Sequence, residues 1–400
     1  MDHRFRAQPG PVFLPSVPVG HPQEPTRPAL AWTGRPSPEA APRAHTPPLR
    51  AQDLPSCPAQ PGSRPVMKAE PPAGCLGAPG QEAQAMANLS AGAGFILLQL
   101  SGSPRLQLLH GCLFLLLYLL ALAGNLLVAA LVSLDARLHS PMYLLLRQLS
   151  LLDAGLVSVT VPKSALGALA HSAAISRPGC ALQVLLVIHF AGAELLLLTA
   201  MAYDRYAAIC RPLHYEGAMS RAVCARMAAA SWALGGVFGG LYAGGTFSLS
   251  FCGPRTLPQL FCDVPSLLRI ACPQSHVTID ASVAAGVLYG FLCLLAIVVS
   301  YVRIFSTVLA LPSAQGRAKA FSTCLPHLAV VSTFLLTGAA AYLKPVPECP
   351  SLLDVLVSVS YSVLPPTLNP AIYTLRNRDV RAALSRLQAC GGSGVPARWT

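Results

Sequence analysis

Residues 111–134 read GCLFLLLYLLALAGNLLVAALVSL, a run of 24 that holds no Asp, Glu, Lys or Arg. As a helix it would extend about 36 Å, past the ~30 Å hydrocarbon core of a bilayer. In lipid the backbone has to satisfy its own hydrogen bonds, so the run is predicted to be a membrane-spanning helix. Six further apolar stretches follow near 142–166, 180–204, 223–247, 278–302, 321–343 and 352–374. The prediction is an all-α membrane protein, a seven-transmembrane helix bundle over 106–376 with its termini on opposite sides. Only 11% of the 400 residues are charged and the mean hydropathy is +0.53, against about 25% charged in soluble domains. That excludes an ordinary soluble enzyme.

Lys and Arg near span ends resist translocation and so set orientation. Outside the first 85 residues, fourteen fall on the side that holds the C-terminus and six on the other. The expected arrangement is an extracellular N-terminus, 86–105, and a cytoplasmic tail, 377–400, whose start is a short amphipathic helix. The net charge of +12 then belongs to cytoplasmic loops beside anionic lipid, not to a nucleic-acid surface. Residues 1–85 carry 19 of the 37 prolines and no hydrophobic period. They are predicted to be a disordered extension, with a gene-model artefact as the alternative. Asn88, Leu89 and Ser90 form a glycosylation acceptor on the outer side, a weak signal by itself.

The thirteen cysteines include no CxxC pair and no Cys/His cluster at zinc spacing. Cys180 opens the third span, while Cys252, Cys262 and Cys272 crowd the loop before the fifth, on the oxidising side. A bond from Cys180 to Cys262 would close a loop of about 80 residues and contribute roughly 4–5 kcal/mol in the chain-entropy picture. Cys252 and Cys272 are the further candidates. Within the spans, Asn125, Asp153 and Glu194 are polar groups at membrane depth, expensive there and functional by default. At the cytoplasmic end of the third span, MAYDRYAAIC (201–210) sets Asp204 and Arg205 side by side. From physics alone, a plain helix-end anchor is as good a reading of that pair as a switch.

The pair keeps specific company: PMYLLLRQLSLLD (141–153), Ser300-Tyr301, KAFSTCLPHL (319–328) and PPTLNPAIYTLRN (365–377), with Gly124-Asn125 in the first span. Together, from about Met86 to Leu387, these motifs resemble the odorant receptors of the tetrapod type, a branch of the rhodopsin-like G-protein-coupled receptors. The family's short start, a Met followed closely by a sequon, is similar to Met86-Ala87-Asn88-Leu89-Ser90.

The resemblance implies a plasma-membrane receptor for small, volatile, mostly uncharged molecules. It would activate a stimulatory, olfactory-type heterotrimeric G protein and raise cyclic AMP. It implies a switch in which Arg205 pairs with Asp204 at rest and turns toward Tyr301 on activation. Tyr206, His327, Asn369, Pro370 and Tyr373 belong to that machinery, and Pro370 permits a bend in the seventh helix. Ligand-lining candidates are Val187, Ile188, Ala191, Gly192, Tyr289, Leu335, Gly338, Tyr342 and Val359, each equally readable as helix packing. None is acidic, so a cationic amine would find no counter-ion among them. Related receptors can hold sodium near Asp153 and Glu194, and the two acids could equally share a proton.

Two departures from the family pattern stand out. Leu335 replaces a common tyrosine of the sixth helix. Gln259-Leu260-Phe261-Cys262-Asp263 lacks the histidine of a proposed metal site, so no metal is expected in odorant binding, and no cofactor. Other classes fit less well. A transporter would show an internal repeat and broken helices. An enzyme would show convergent catalytic groups, whereas the histidines here sit singly. A receptor-like chain that does not signal, or one serving a non-odorant metabolite outside the olfactory epithelium, remains the alternative.

Overall fold

A computed structural model describes residues 94–273, 276–343 and 351–392. Asn88 and the extension 1–85 lie outside the described residues. Seven long helices follow one another: α1 (Pro104–Leu134), α2 (Pro141–Leu169), α3 (Arg177–Cys210), α4 (Arg221–Phe247), α5 (Val277–Leu309), α6 (Ala314–Leu343) and α7 (Leu352–Arg376). Each is long and apolar enough to cross a membrane. A further helix, α8 (Arg378–Gly392), follows α7 directly.

The starts are written in the chain. Proline stands in the first turn of α1, α2 and α3, where its missing N–H is no loss. Ser176 caps α3, Ser220 caps α4, and Ser351 with Asp354 forms a reciprocal capping box on α7. Helix α1 begins at Pro104, seven residues ahead of the apolar run. Its first turns carry Arg105, Gln107 and His110, polar residues that the apolar run does not include.

The inner half of the bundle packs around Leu145, Leu146, Leu149, Leu152, Leu197 and Leu198. Large apolar side chains on the outer faces of α1 and α5, such as Leu120 and Phe291, are uncovered by protein, as lipid-facing surfaces are. Lipid gives helices no hydrophobic reason to associate, so close approach has to come from small residues. On α4, a Cβ at Gly235 or Gly239 would lie 2.4 Å from the carbonyl oxygen of His189 or Leu185 of α3.

The outer end is closed by a lid. Strand β1 (Gly94–Ile96) pairs antiparallel with β2 (Ala174–Ser176), the loop between α2 and α3, and Ile96 also bridges to Thr256. Phe95 is buried edge-on against Phe247 and Phe251. Disulfides Cys180–Cys262 and Cys252–Cys272 fix the long loop between α4 and α5, and a short helix, Val264–Ile270, lies within that loop.

At the inner end, α8 docks on the start of the bundle. Asn377 Oδ1 accepts from the N–H of Asp379 at 2.9 Å, and the Tyr143 hydroxyl lies 3.0 Å from Asn377 Oδ1 and 2.8 Å from Asp379 Oδ2. Arg386 pairs with Asp135.

Candidate functional site

Three layers of polar chemistry run down the bundle axis. In the middle, Asp153 of α2 and Glu194 of α3 are fully buried. Asp153 Oδ2 accepts from Asn369 Nδ2 at 2.9 Å. Glu194 and Tyr373 lie within electrostatic range of Asp153. Both Glu194 oxygens, Asp153 Oδ1, Asn125 Oδ1, Asn369 Oδ1 and the Tyr373 hydroxyl are buried without a partner among the described groups. Oxygens grouped around two carboxylates are the donor set of a small hard cation, and they suit ordered water or a shared proton equally well. Pro370 has no N–H for the carbonyl of Pro366, one helical turn back. Asn125 Nδ2 of α1 donates to that carbonyl at 2.6 Å, and also to Ala121 O at 2.9 Å. Gly124, beside it, leaves room for the Pro370 ring, which would sit 3.1 Å from a Cβ there.

A second layer lies toward the end of the bundle that carries α8. Asp204 is 1% exposed and forms an ion pair with Arg205, whose Nε donates to Asp204 Oδ2 at 2.9 Å. The hydroxyl of Tyr215, in the following loop, donates to Asp204 Oδ1 at 2.8 Å. Burial and the Asp204 charge both push the Tyr215 phenol above its ordinary pKa, so it stays a donor. Tyr206 lies under the Arg211 guanidinium, 5.9 Å from its ring centroid. One turn up, His327 of α6 is buried between two partners, Leu198 O of α3 at 3.0 Å from Nε2 and the Tyr301 hydroxyl of α5 at 2.7 Å from Nδ1. A carbonyl can only accept, so Nε2 carries the proton and Nδ1 receives the tyrosine's. Three helices are thereby joined through one imidazole.

The outer layer gathers the ligand candidates less tightly. The Tyr289 hydroxyl donates to Gly192 O at 2.7 Å, joining α5 to α3, and its ring packs on Phe238 of α4 at 4.8 Å. Gly192 faces Gly235, so its small size serves helix approach. Val187 is buried, Ile188 packs against the lid core, and Ala191 and Leu335 against the inner core. A Cβ at Gly338 would lie 3.6 Å from the ring of Tyr361. Tyr361 meets Tyr342 edge-on, with centroids 5.4 Å apart, and shares its cluster with Val359, Leu260 and Phe261.

Residues 114–389 match a family model described as Olfactory receptor. The chain belongs to that family. Olfactory receptor 14K1 of Homo sapiens is 54% identical over 305 residues, 76% of this chain and 97% of that protein. Olfactory receptor 14A2 of Homo sapiens is 50% identical over 302 residues, 76% and 96%. The crystal structure of squid rhodopsin superposes with a TM-score of 0.54 at 17% identity, covering 74% of this chain and 89% of that one, a likeness of fold.

The receptor is thus a multi-pass membrane protein that binds odorants and signals through a G protein, and it is not an enzyme. Among the described residues no group of three His, Cys, Asp or Glu could hold a metal ion. Two parts of the site escaped sequence reasoning. Tyr361 stands on the inward face of α7 among apolar neighbours, and Asp263 hides behind the adjacent Cys262. Their only sequence signal was, respectively, a tyrosine two residues from a named candidate and an acid next to a tethered cysteine.

Proposed function

We propose that the receptor sits with its N-terminus outside and its C-terminus in the cytoplasm. In this reading it binds a small, largely apolar volatile molecule beneath the lid and activates a stimulatory, olfactory-type G protein. The single observation that carries the reading is the closed link Tyr301–His327–Leu198 O directly above the Asp204–Arg205 pair. A ligand that favours an arrangement in which α6 leaves this link frees Arg205 and opens the cytoplasmic face, a two-state element biased by differential binding. Tyr289, Gly338, Tyr342 and Val359 would stand nearest the ligand. Asp153, Glu194, Asn125, Asn369, Pro370 and Tyr373 connect the layers.

The test is expression from Met86 and from Met1 in cells supplied with the olfactory G protein, with cyclic AMP measured across an odorant panel. A dose-dependent rise from the shorter form, absent in Arg205→Ala at equal surface level, is the expected result and makes residues 1–85 dispensable for signalling. Silence from both forms at the cell surface would overturn it.

A further inference from the structure

The lid contributes a charged group that the helix-based ligand candidates do not contain. Cys262 is bonded to Cys180 at the head of α3, and its N–H donates to Gln183 Oε1 at 2.8 Å. Two residues earlier, Leu260 O accepts from Ser164 Oγ of α2 at 2.7 Å. Held from two helices, the next residue, Asp263, is partly covered by the packing around it. It stands in the capping position of the helix Val264–Ile270, yet its carboxylate makes no cap hydrogen bond. Its Oδ1 is buried with no partner among the described residues.

An ionised carboxylate placed that way is costly unless a positive group meets it. Burial and, in opposition, Ser266 are the main influences on it, and no Arg, Lys or His among the described residues is one of them. The nearby cation Lys163 donates to Ala174 O at 2.7 Å. Although burial moves the Asp263 pKa up to about 6, the group is still largely ionised at neutral pH. An aromatic side chain lies within its electrostatic range instead. Tyr342 of α6 lies within electrostatic range of Asp263 and of Tyr242 of α4, and Tyr342 and Tyr361 form the edge-on pair. A carboxylate beside phenol rings is the recognition chemistry of an ammonium group.

We propose that Asp263 anchors the ammonium of a small amine odorant beneath the lid, with Tyr342 and Tyr361 facing the cation and the apolar body lying toward Gly338 and Val359. The inference rests on the outer half of the bundle being the ligand chamber. It supplies, from a loop, the counter-ion that the helix positions lack.

Matched probes decide it on the purified full chain at pH 7.4: 2-phenylethylamine against 2-phenylethanol, and cyclohexylamine against cyclohexanol, with the thermal midpoint titrated against each. The expected result is that at least one amine raises the midpoint at concentrations ten-fold or more below its alcohol. That advantage disappears in Asp263→Asn and survives in Asp280→Asn, which alters an exposed carboxylate at the start of α5. Alcohols acting as well as amines on the unaltered receptor would overturn the anchor and leave the chamber standing. That comparison needs no variant to fold. No response to any of the four would overturn both. An amine that stabilises the receptor but raises no cyclic AMP in cells counts against the signalling reading alone. Retention of the full amine advantage in Asp263→Asn would also overturn the anchor.

Discussion

The side-chain amide of Asn125 donates to the carbonyl of Pro366 at 2.6 Å, the acceptor that Pro370 leaves without a helical donor. The hydrogen-bond gap that Pro370 leaves in α7 is thus closed by a residue of α1. Asn125→Leu removes the donor and leaves a buried carbonyl unpaired, which costs about 1–3 kcal/mol. Thermal unfolding of the detergent-purified receptor should register a clear drop for Asn125→Leu. The control Ser133→Ala, which loses only a local bond to Ala129 O, should change little.

His327→Phe keeps a ring of similar volume but removes both bonds that join α6 to α3 and α5. Two hydrogen bonds at about 1 kcal/mol each amount to a roughly thirty-fold shift of the equilibrium toward the open arrangement, of which the population of active receptor shows a part. Basal cyclic AMP should rise several-fold at matched surface expression. An unchanged or lowered basal level would show that the link does not hold the resting state.

The two disulfides differ in reach, with sequence separations of 82 and 20. In the chain-entropy picture they contribute about 4.5 and 3.3 kcal/mol respectively. Cys262→Ala should therefore reduce surface staining more than Cys272→Ala does, and it also releases the backbone that positions Asp263.

Glycines of α4 divide by what stands opposite. Gly235→Ala brings a Cβ to 2.4 Å from His189 O, a backbone atom that cannot step aside, whereas a Cβ at Gly240 meets nothing within 4 Å. Gly235→Ala should force α3 and α4 apart and lower the yield of folded receptor. Gly240→Ala should be neutral or gain up to about 1 kcal/mol through helix propensity.

Asp263 gives the lid a pH dependence of defined sign. Its pKa is raised from 3.8 to about 6 by burial, so the folded receptor holds a proton that the unfolded chain releases. The stability it contributes is full below pH 3.8 and is lost as pH rises through about 6. Without ligand, the thermal midpoint of the native receptor should fall from pH 5 to pH 7 relative to Asp263→Asn, by the equivalent of roughly 1–1.5 kcal/mol. Parallel curves for the two would contradict the burial of this carboxylate.

Hydropathy made the seven spans legible because each apolar run has one stable home, and the helices overran the expected spans at their ends, from Pro104 to His110 in α1 and from Arg303 to Leu309 in α5. The lid strand was not legible. Gly94, Phe95 and Ile96 are three residues with no periodicity to read, and their pairing with Ala174–Ser176 is set by tertiary placement. The residues proposed for the switch could be named from motifs, but not the partner of each. That Asn125 answers Pro370 across the bundle, or that one imidazole serves Leu198 and Tyr301 together, depends on how helices face each other. Asp263 went unnamed because a loop acid ordinarily points to water, whereas here its loop is packed against α2 and α3 through Leu260 and Cys262.

The antiparallel pairing of β1 with β2 has a consequence for biogenesis. Phe95 and Ile96 emerge before the first span, yet their cover comes from the loop before α3 and from Thr256, beyond α4. Until four helices and the loop after them have been made, these side chains lack that cover. The lid therefore closes late, by a long-range contact whose chain-entropy cost is met only once the bundle has formed. A chain that stalls earlier leaves Phe95 and Ile96 without their partners, so closure of the lid marks a bundle whose first four helices are in place.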